Sequence, residues 1–464
     1  MARSFRLVVS IVVLCAAPAA AQPAPLTLPQ AVAEALRASP VLRAPDDGRT
    51  VAVIRQRQSS SAFGLKLTPT FQTGTDPAGL NARSMGVSLS KRLPTGTAFQ
   101  INATTFEFGT AADHIRDSGY TVGISQPLLR GWTSVASAGL EQAKRHAASA
   151  ERAYADAGQA LMISVADAYY AAVRAQRLVD AAGRALERAQ QLRTSSEARS
   201  KVGLATELDV LRADLLTAQS EAAVASQHEM LENATDALKT LIGRPAGDEV
   251  ALADGDVIAI EEPVADSIEH LTTLALANRL DVLEARDRIA DARRAASVAK
   301  WELLPPVNLE ASYTQRGIGA ARPYAYQPLF NGWHLGLNTS YGLDRSDAQA
   351  GAAIAAVSVH AAERAADDVQ RRAADEVRRA FRGWTRTFNT TEIQGKAVLL
   401  AERQLRLAHI RYERGIAGNF DVIDAENNLV QAQSGLIGAQ VERALAALML
   451  QRAAGTLSAE AFRR

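Results

Sequence analysis

Two segments decide the fold: Lys201-Val202-Gly203-Leu204-Ala205-Thr206-Glu207-Leu208-Asp209-Val210-Leu211 and Glu413-Arg414-Gly415-Ile416-Ala417-Gly418-Asn419-Phe420-Asp421-Val422-Ile423. In each, a glycine is followed after five residues by an Asp-Val pair, and the two copies stand 212 residues apart. The same offset, without a gap, sets Val165-Ala166-Asp167-Ala168-Tyr169 on Val377-Arg378-Arg379-Ala380-Phe381 and Arg199 on Arg411. Farther upstream, Ala35 to Leu42 resembles Ala275 to Val282. A period this long predicts a duplicated domain rather than a solenoid of short repeats. The expected units are 22–250 and 266–464, joined by a linker at 251–265 that contains proline and acidic residues.

Both turns sit inside proline-free stretches. No proline lies between Pro127 and Pro245, and none follows Pro328. These stretches are rich in Ala, Glu, Arg, Gln and Leu, so they lack the strongest helix breaker and favour the strongest formers. Each reads as a pair of very long helices. A helix of 60 to 70 residues would reach on the order of 100 Å.

Between the helical stretches the period changes from 3.6 to 2. Met85, Val87 and Leu89 alternate with Gly and Ser; Phe99, Ile101 and Ala103 with Gln, Asn and Thr; Tyr120, Val122 and Ile124 with Thr, Gly and Ser. The second unit shows the pattern at Val307 to Tyr313 and Leu335 to Tyr341. One apolar and one small polar side suits either a half-buried soluble sheet or barrel strands between lipid and lumen. Aromatic placement favours the barrel. More than half of the Phe, Trp and Tyr residues fall in residues 60–132 and 301–343, about a quarter of the chain. Phe106, Phe108, Tyr120, Trp132, Tyr313, Tyr324, Tyr326 and Trp333 fall at or near the expected strand ends, where interfacial aromatics anchor a barrel.

A handful of strands cannot close a pore alone, and a sheet in lipid cannot leave an edge open. The expected architecture is therefore oligomeric: each protomer donates a sector of one barrel, and the long helices form a second, helical cylinder below it. The amino-terminal residues fit this destination. Arg3 and Arg6, the apolar run Leu7–Ala17 and Ala19-Ala20-Ala21 read as a secretory signal over residues 1–21. The sole cysteine, Cys15, lies within it, and the bulky Leu14 before it argues against lipid attachment. A chain without other thiols suits an oxidising compartment. A net charge of +1 offers no broad basic field for nucleic acid.

The duplicated helix–strand–strand–helix plan, the strand exit Gly123-Ile124-Ser125-Gln126-Pro127-Leu128 and the paired turns together resemble TolC-type outer membrane efflux proteins. That resemblance covers nearly the whole chain after residue 21. It implies a homotrimer in outer membrane lipid, with a periplasmic barrel of coiled coils, a periplasmic adaptor gripping the hairpin tips and an inner membrane transporter driving cargo. It implies no catalysis and no cofactor. The adaptor contact would involve Val202, Gly203, Leu204, Asp209, Gly415 and Ile416, and the periplasmic gate Asp421, Asp424 and Tyr412. The family's latch arginine is absent, since Ala417 occupies its place; Arg411 and Arg414 are candidates to replace it. The first unit also departs from the family's two strands per repeat. It offers four, near 66–74, 84–92, 96–107 and 119–126, with a turn at Leu93-Pro94-Thr95-Gly96, and the place of the extra hairpin is open.

Physical chemistry sets other readings beside these roles. Asp421 and Asp424 are spaced i, i+3 and face one side of a helix; a ring of such carboxylates would bind cations. Thr206-Glu207-Leu208-Asp209 also matches a capping box, and Asp421 occupies the corresponding place in the second turn. Asp424 stands one turn further in, where no cap is needed. Tyr412 can latch a closed state or pack the end of its helix. The seven histidines show no i, i+4 pair, and no nucleophile elbow, Walker loop or dinucleotide fingerprint occurs. The rival functions are a periplasmic adaptor, which needs one hairpin and not two, and a secreted coiled coil, which needs sustained heptads and no strands.

Overall fold

The structure is a computed structural model that describes residues 25–75, 77, 80–110, 114–132, 134–253, 267–319 and 329–462. The signal reading at 1–21, most of the expected linker, and Tyr324 and Tyr326 lie outside the described residues. The elements run α1 (Leu28–Ala38), α2 (Arg43–Ser61), β1 (Leu65–Thr75), β2 (Asn81–Arg92), β3 (Ala98–Gly109), β4 (His114–Pro127), α3 (Ala138–Lys201) and α4 (Glu207–Ile242). There follow α5 (Ile268–Asn278), α6 (Leu280–Glu302), β5 (Val307–Gly319), β6 (Phe330–Thr339), α7 (Ser346–Glu413) and α8 (Asn419–Ala453). The chain is mostly helical with one sheet.

The expectation of two very long helices per unit holds for only one member of each pair. Helix α3 has 64 residues and α7 has 68, each about 100 Å long at about 1.5 Å per residue. Their hairpin partners α4 and α8 have 36 and 35. Helix α4 stops where Gly243 takes a left-handed φ of 83° and Pro245 follows. The rest of each long helix is covered by a different short one: α2 packs on α3, and α6 on α7.

Core residues gather where short helices cross the long ones. Val165, fully buried on α3, packs in one cluster with Ala31, Val32 and Ala35 of α1 and with Leu238 and Ile242 of α4. Val377, its counterpart at offset 212, is equally buried on α7 beside Leu271 and Ala275 of α5 and Leu450 of α8. A third cluster joins the two hairpins near their turns. Salt bridges add to this: Arg244 grips Glu34 with two 2.7 Å hydrogen bonds, and Arg152 of α3 reaches Glu284 and Asp287 of α6 at 2.8 Å each.

All six strands form one antiparallel meander in the order β1-β2-β3-β4-β5-β6. The four strands expected in the first unit are all present, and the turn expected at Leu93–Gly96 joins β2 to β3, with Gly96 N–H donating to the Leu93 carbonyl at 2.9 Å. Strand β4 pairs with β5, so the two halves of the chain meet inside the sheet. The outer edges of β1 and β6 have no strand partner among the described residues. No helix among the described residues is long and apolar enough to cross a membrane.

Candidate functional site

The end of the molecule remote from the sheet is built from the two turns. At each, the long helix ends in a left-handed glycine, Gly203 at φ 77° and Gly415 at φ 71°. One residue on, Leu204 N–H donates to Arg199 O and Ile416 N–H to Arg411 O, both at 2.9 Å. These are matching Schellman closures, which need a residue without a Cβ penalty at the left-handed position. The closure turns Val202, Leu204 and Ile416 outward, at 70%, 70% and 65% exposure. Leu208 and Phe420, one residue before the aspartate of each turn, are likewise exposed.

Beyond the glycines the two turns differ. In the first, Thr206 caps α4: Asp209 N–H donates to Thr206 Oγ1 at 3.2 Å, and Thr206 N–H donates back to Asp209 Oδ2 at 3.0 Å. Asp209 is thus engaged by its own helix, with Arg212 Nη1 4.0 Å away. In the second turn the cap position is Gly418, which has no side chain to offer. Asp421 is exposed and forms no hydrogen bond or ion pair with the other described residues. Asp424 is also exposed and accepts one hydrogen bond, from Asn428 Nδ2 at 3.2 Å.

Five contacts fasten the hairpins together just inside these tips. Tyr412 is 5% exposed, its hydroxyl 3.0 Å from Ser196 Oγ on α3. The Arg199 guanidinium lies 4.8 Å over the Tyr412 ring and donates to Glu413 O at 3.2 Å. Asn419, fully buried, donates from Nδ2 to the carbonyl of Asp209 at 2.5 Å. Deeper, Arg188 Nε donates to both oxygens of the buried Glu426 at 2.8 and 2.9 Å. The cation over Tyr412 is Arg199 from the first hairpin, while Arg411 and Arg414 are both exposed. Sequence reading missed Ser196, Arg188, Asn419 and Glu426. Their partners lie more than two hundred residues away, so no local spacing marks them.

An open-edged antiparallel sector standing on two helical hairpins, each with one arm of about 100 Å, defines the class: a channel whose wall is shared between membrane strands and long helices. The chain matches the outer membrane efflux protein family over residues 92–244 and 271–456 and belongs to it. Over 352 residues it is 26% identical to the outer membrane protein TolC of Vibrio cholerae, spanning 73% of this chain and 76% of that protein. It is 25% identical over 332 residues to TtgC of Pseudomonas putida, a probable efflux pump outer membrane protein, spanning 68% of this chain and 64% of TtgC. Its fold matches the open-state crystal structure of the MtrE outer membrane channel of Neisseria gonorrhoeae with a TM-score of 0.70 at 19% identity, covering 93% and 91% of the two chains. The protein is an outer membrane efflux channel that extends into the periplasm, and its family consists of channels rather than enzymes. The periplasmic adaptor alternative is thereby set aside.

Proposed function

We propose that the protein is the passive exit duct of a tripartite efflux or type I secretion system: a homotrimer whose helical hairpins receive cargo from an inner membrane transporter through a periplasmic adaptor. The observation that carries this reading is the contrast at the tips. Apolar side chains that a soluble end would bury, Val202, Leu204 and Ile416, point outward, while Asp421 and Asp424 stand exposed without a cation partner. Exposed apolar tips suit docking to another protein. Unpaired carboxylates suit a mouth at which threefold symmetry gathers six of them.

The same reading treats the chain as two tandem repeats, 22–250 and 266–464, with a linker at 251–265. Equal burial of Val165 and Val377 under α1 and α5 supports it. Within each protomer, Tyr412 with Ser196 and Arg199 holds the second hairpin against the first, so opening the mouth requires that junction to part. Gly203, Asp209 and Gly415 shape the adaptor-facing turns.

Reconstitution in a planar bilayer tests the gate. A trivalent cation added on the periplasmic side is expected to block the native channel, and the Asp421→Ala, Asp424→Ala double variant at least tenfold more weakly. Conductance with unchanged block removes the acidic mouth from the proposal. A folded protein that does not conduct removes the duct itself.

A further inference from the structure

The sheet has more strands than the resemblance implied, and the register shows what the additional hairpin does. Reading straight across the sheet, Leu67, Leu89, Ile101, Val122, Tyr313 and Trp333 form one unbroken apolar row through all six strands. On the other face, Thr68, Ser88, Asn102, Thr121, Thr314 and Gly332 form a polar or small row with the same continuity. The apolar face is broadly exposed, including Leu67 at 67% and Trp333 at 83%. It also has limits. At one end Arg83 stands opposite Glu107, and Glu107 opposite Arg116, with which it forms a salt bridge; at the other, Lys91 occupies the same face of β2.

From Arg83 to Lys91 the strand rises about 27 Å, or about 21 Å along the membrane normal at a tilt of about 40°. That is close to the height of the apolar band on an outer membrane barrel, about 25 Å. Strands β1 and β2 thus share the face, the row and the depth of the other four, as members of a wall do. A hairpin standing above the membrane would have no need of this match.

Strand β1 leaves the helices and β6 returns to them, so placing β6 of one chain beside β1 of another adds an antiparallel pair like the five already present. Left open in hydrocarbon, these edges would strand a row of backbone donors and acceptors with no water to satisfy them. Pro69 withholds one donor from β1, a cost of one ladder bond in a strand that offers many. We propose that the β1–β2 hairpin lies in the membrane wall and that β1 of each protomer pairs with β6 of a second copy of this chain. Resting on the trimer reading above, this closes an 18-stranded barrel. At about 4.8 Å between strands and about 40° tilt, its backbone diameter is about 36 Å, against about 24 Å for 12 strands.

Disulfide trapping in the full-length protein tests the seam. In a Cys15→Ser background, Lys66→Cys, Thr68→Cys or Thr70→Cys on β1 is combined with His334→Cys, Gly336→Cys or Asn338→Cys on β6, all on the polar face, and oxidised in outer membranes. The control combines Asn102→Cys on β3 with the same β6 positions. Native mass of the detergent-extracted particle is measured separately. Covalent trimers from at least one β1–β6 pair, with none from β3–β6, are the expected result. Links from β3 to β6 in a native trimer, or no β1–β6 link in it, overturn the proposal by placing the hairpin outside the wall. Links from β1 to β6 in a particle of another stoichiometry uphold the seam and overturn the threefold reading alone.

Discussion

The two hairpin tips share a backbone and differ in how they use an aspartate. Both close through a left-handed glycine and the same pair of backbone hydrogen bonds, 212 residues apart. In the first, Thr206 binds Asp209 to its own helix. In the second, Gly418 leaves Asp421 free, and Asn419 turns away from its own helix to bind the first tip. One residue at the cap therefore separates a structural acid from an available one. The two tips thus share one backbone geometry and carry different chemistry on it.

The junction behind the tips carries the largest expected effect. Replacing Glu426 by alanine strands the largely buried Arg188 guanidinium, and losing one partner of such a pair costs about 3 kcal/mol. The expected outcome is a lower thermal midpoint, with faster amide exchange along both hairpin ends. A change confined to α8 would show that the hairpins do not depend on each other there. Next in size is Thr206→Ala, expected to cost about 1 kcal/mol in local stability of the first turn of α4, read from exchange of the Glu207 to Val210 amides. Asp209→Ala, which breaks the same box, should have a similar effect, whereas Asp421→Ala at the place equivalent to Asp209 should leave the exchange of α8 unchanged. Equal losses at both tips would erase the distinction between them.

A pH titration gives a smaller effect away from the tips. Burial opposes ionisation of Glu284, but hydrogen bonds from Arg152 and Ser149, with the Arg152 charge, outweigh it and hold the carboxyl below the usual glutamate range. A depressed value means that the native state favours the charged form. The contribution is present above the unfolded value of about 4.3 and is lost as pH falls through the folded value. Below about pH 4 the α3–α6 contact should weaken by about 1 kcal/mol or less, seen as faster exchange around Arg152 and absent in Glu284→Gln. The smallest expected effect is also the sharpest. Gly418→Thr supplies the missing cap, which should stabilise α8 by a few tenths of a kcal/mol. By drawing Asp421 into a capping box it should also weaken cation block without removing any carboxylate. Unchanged block would show that capping does not govern the availability of Asp421.

Local rules made much of this legible. Proline-free stretches marked α3 and α7, two-residue alternation marked the five strands β2 to β6, and Thr206 with Asp209 showed its box through spacing alone. What stayed hidden depended on tertiary contact. Gly243 and Pro245 stood in plain view, yet the halving of α4 followed only once α2 was seen covering the other part of α3. The ties from Tyr412 to Ser196 and from Arg188 to Glu426 join side chains brought together by helix packing, and local periodicity does not encode them. The free state of Asp421 rests on the fact that no described residue forms a hydrogen bond or ion pair with it, which spacing alone does not reveal.

The open edges of β1 and β6 have a genetic consequence. In the proposed trimer, a subunit whose β1 edge cannot pair does not fail alone, because it leaves a gap in a ring that two sound subunits cannot close. In a cell making sound and edge-damaged copies in equal amount, only about one ring of three in eight would contain sound copies throughout. Lesions along those two strands should therefore behave as dominant, whereas loss of the gene would be recessive.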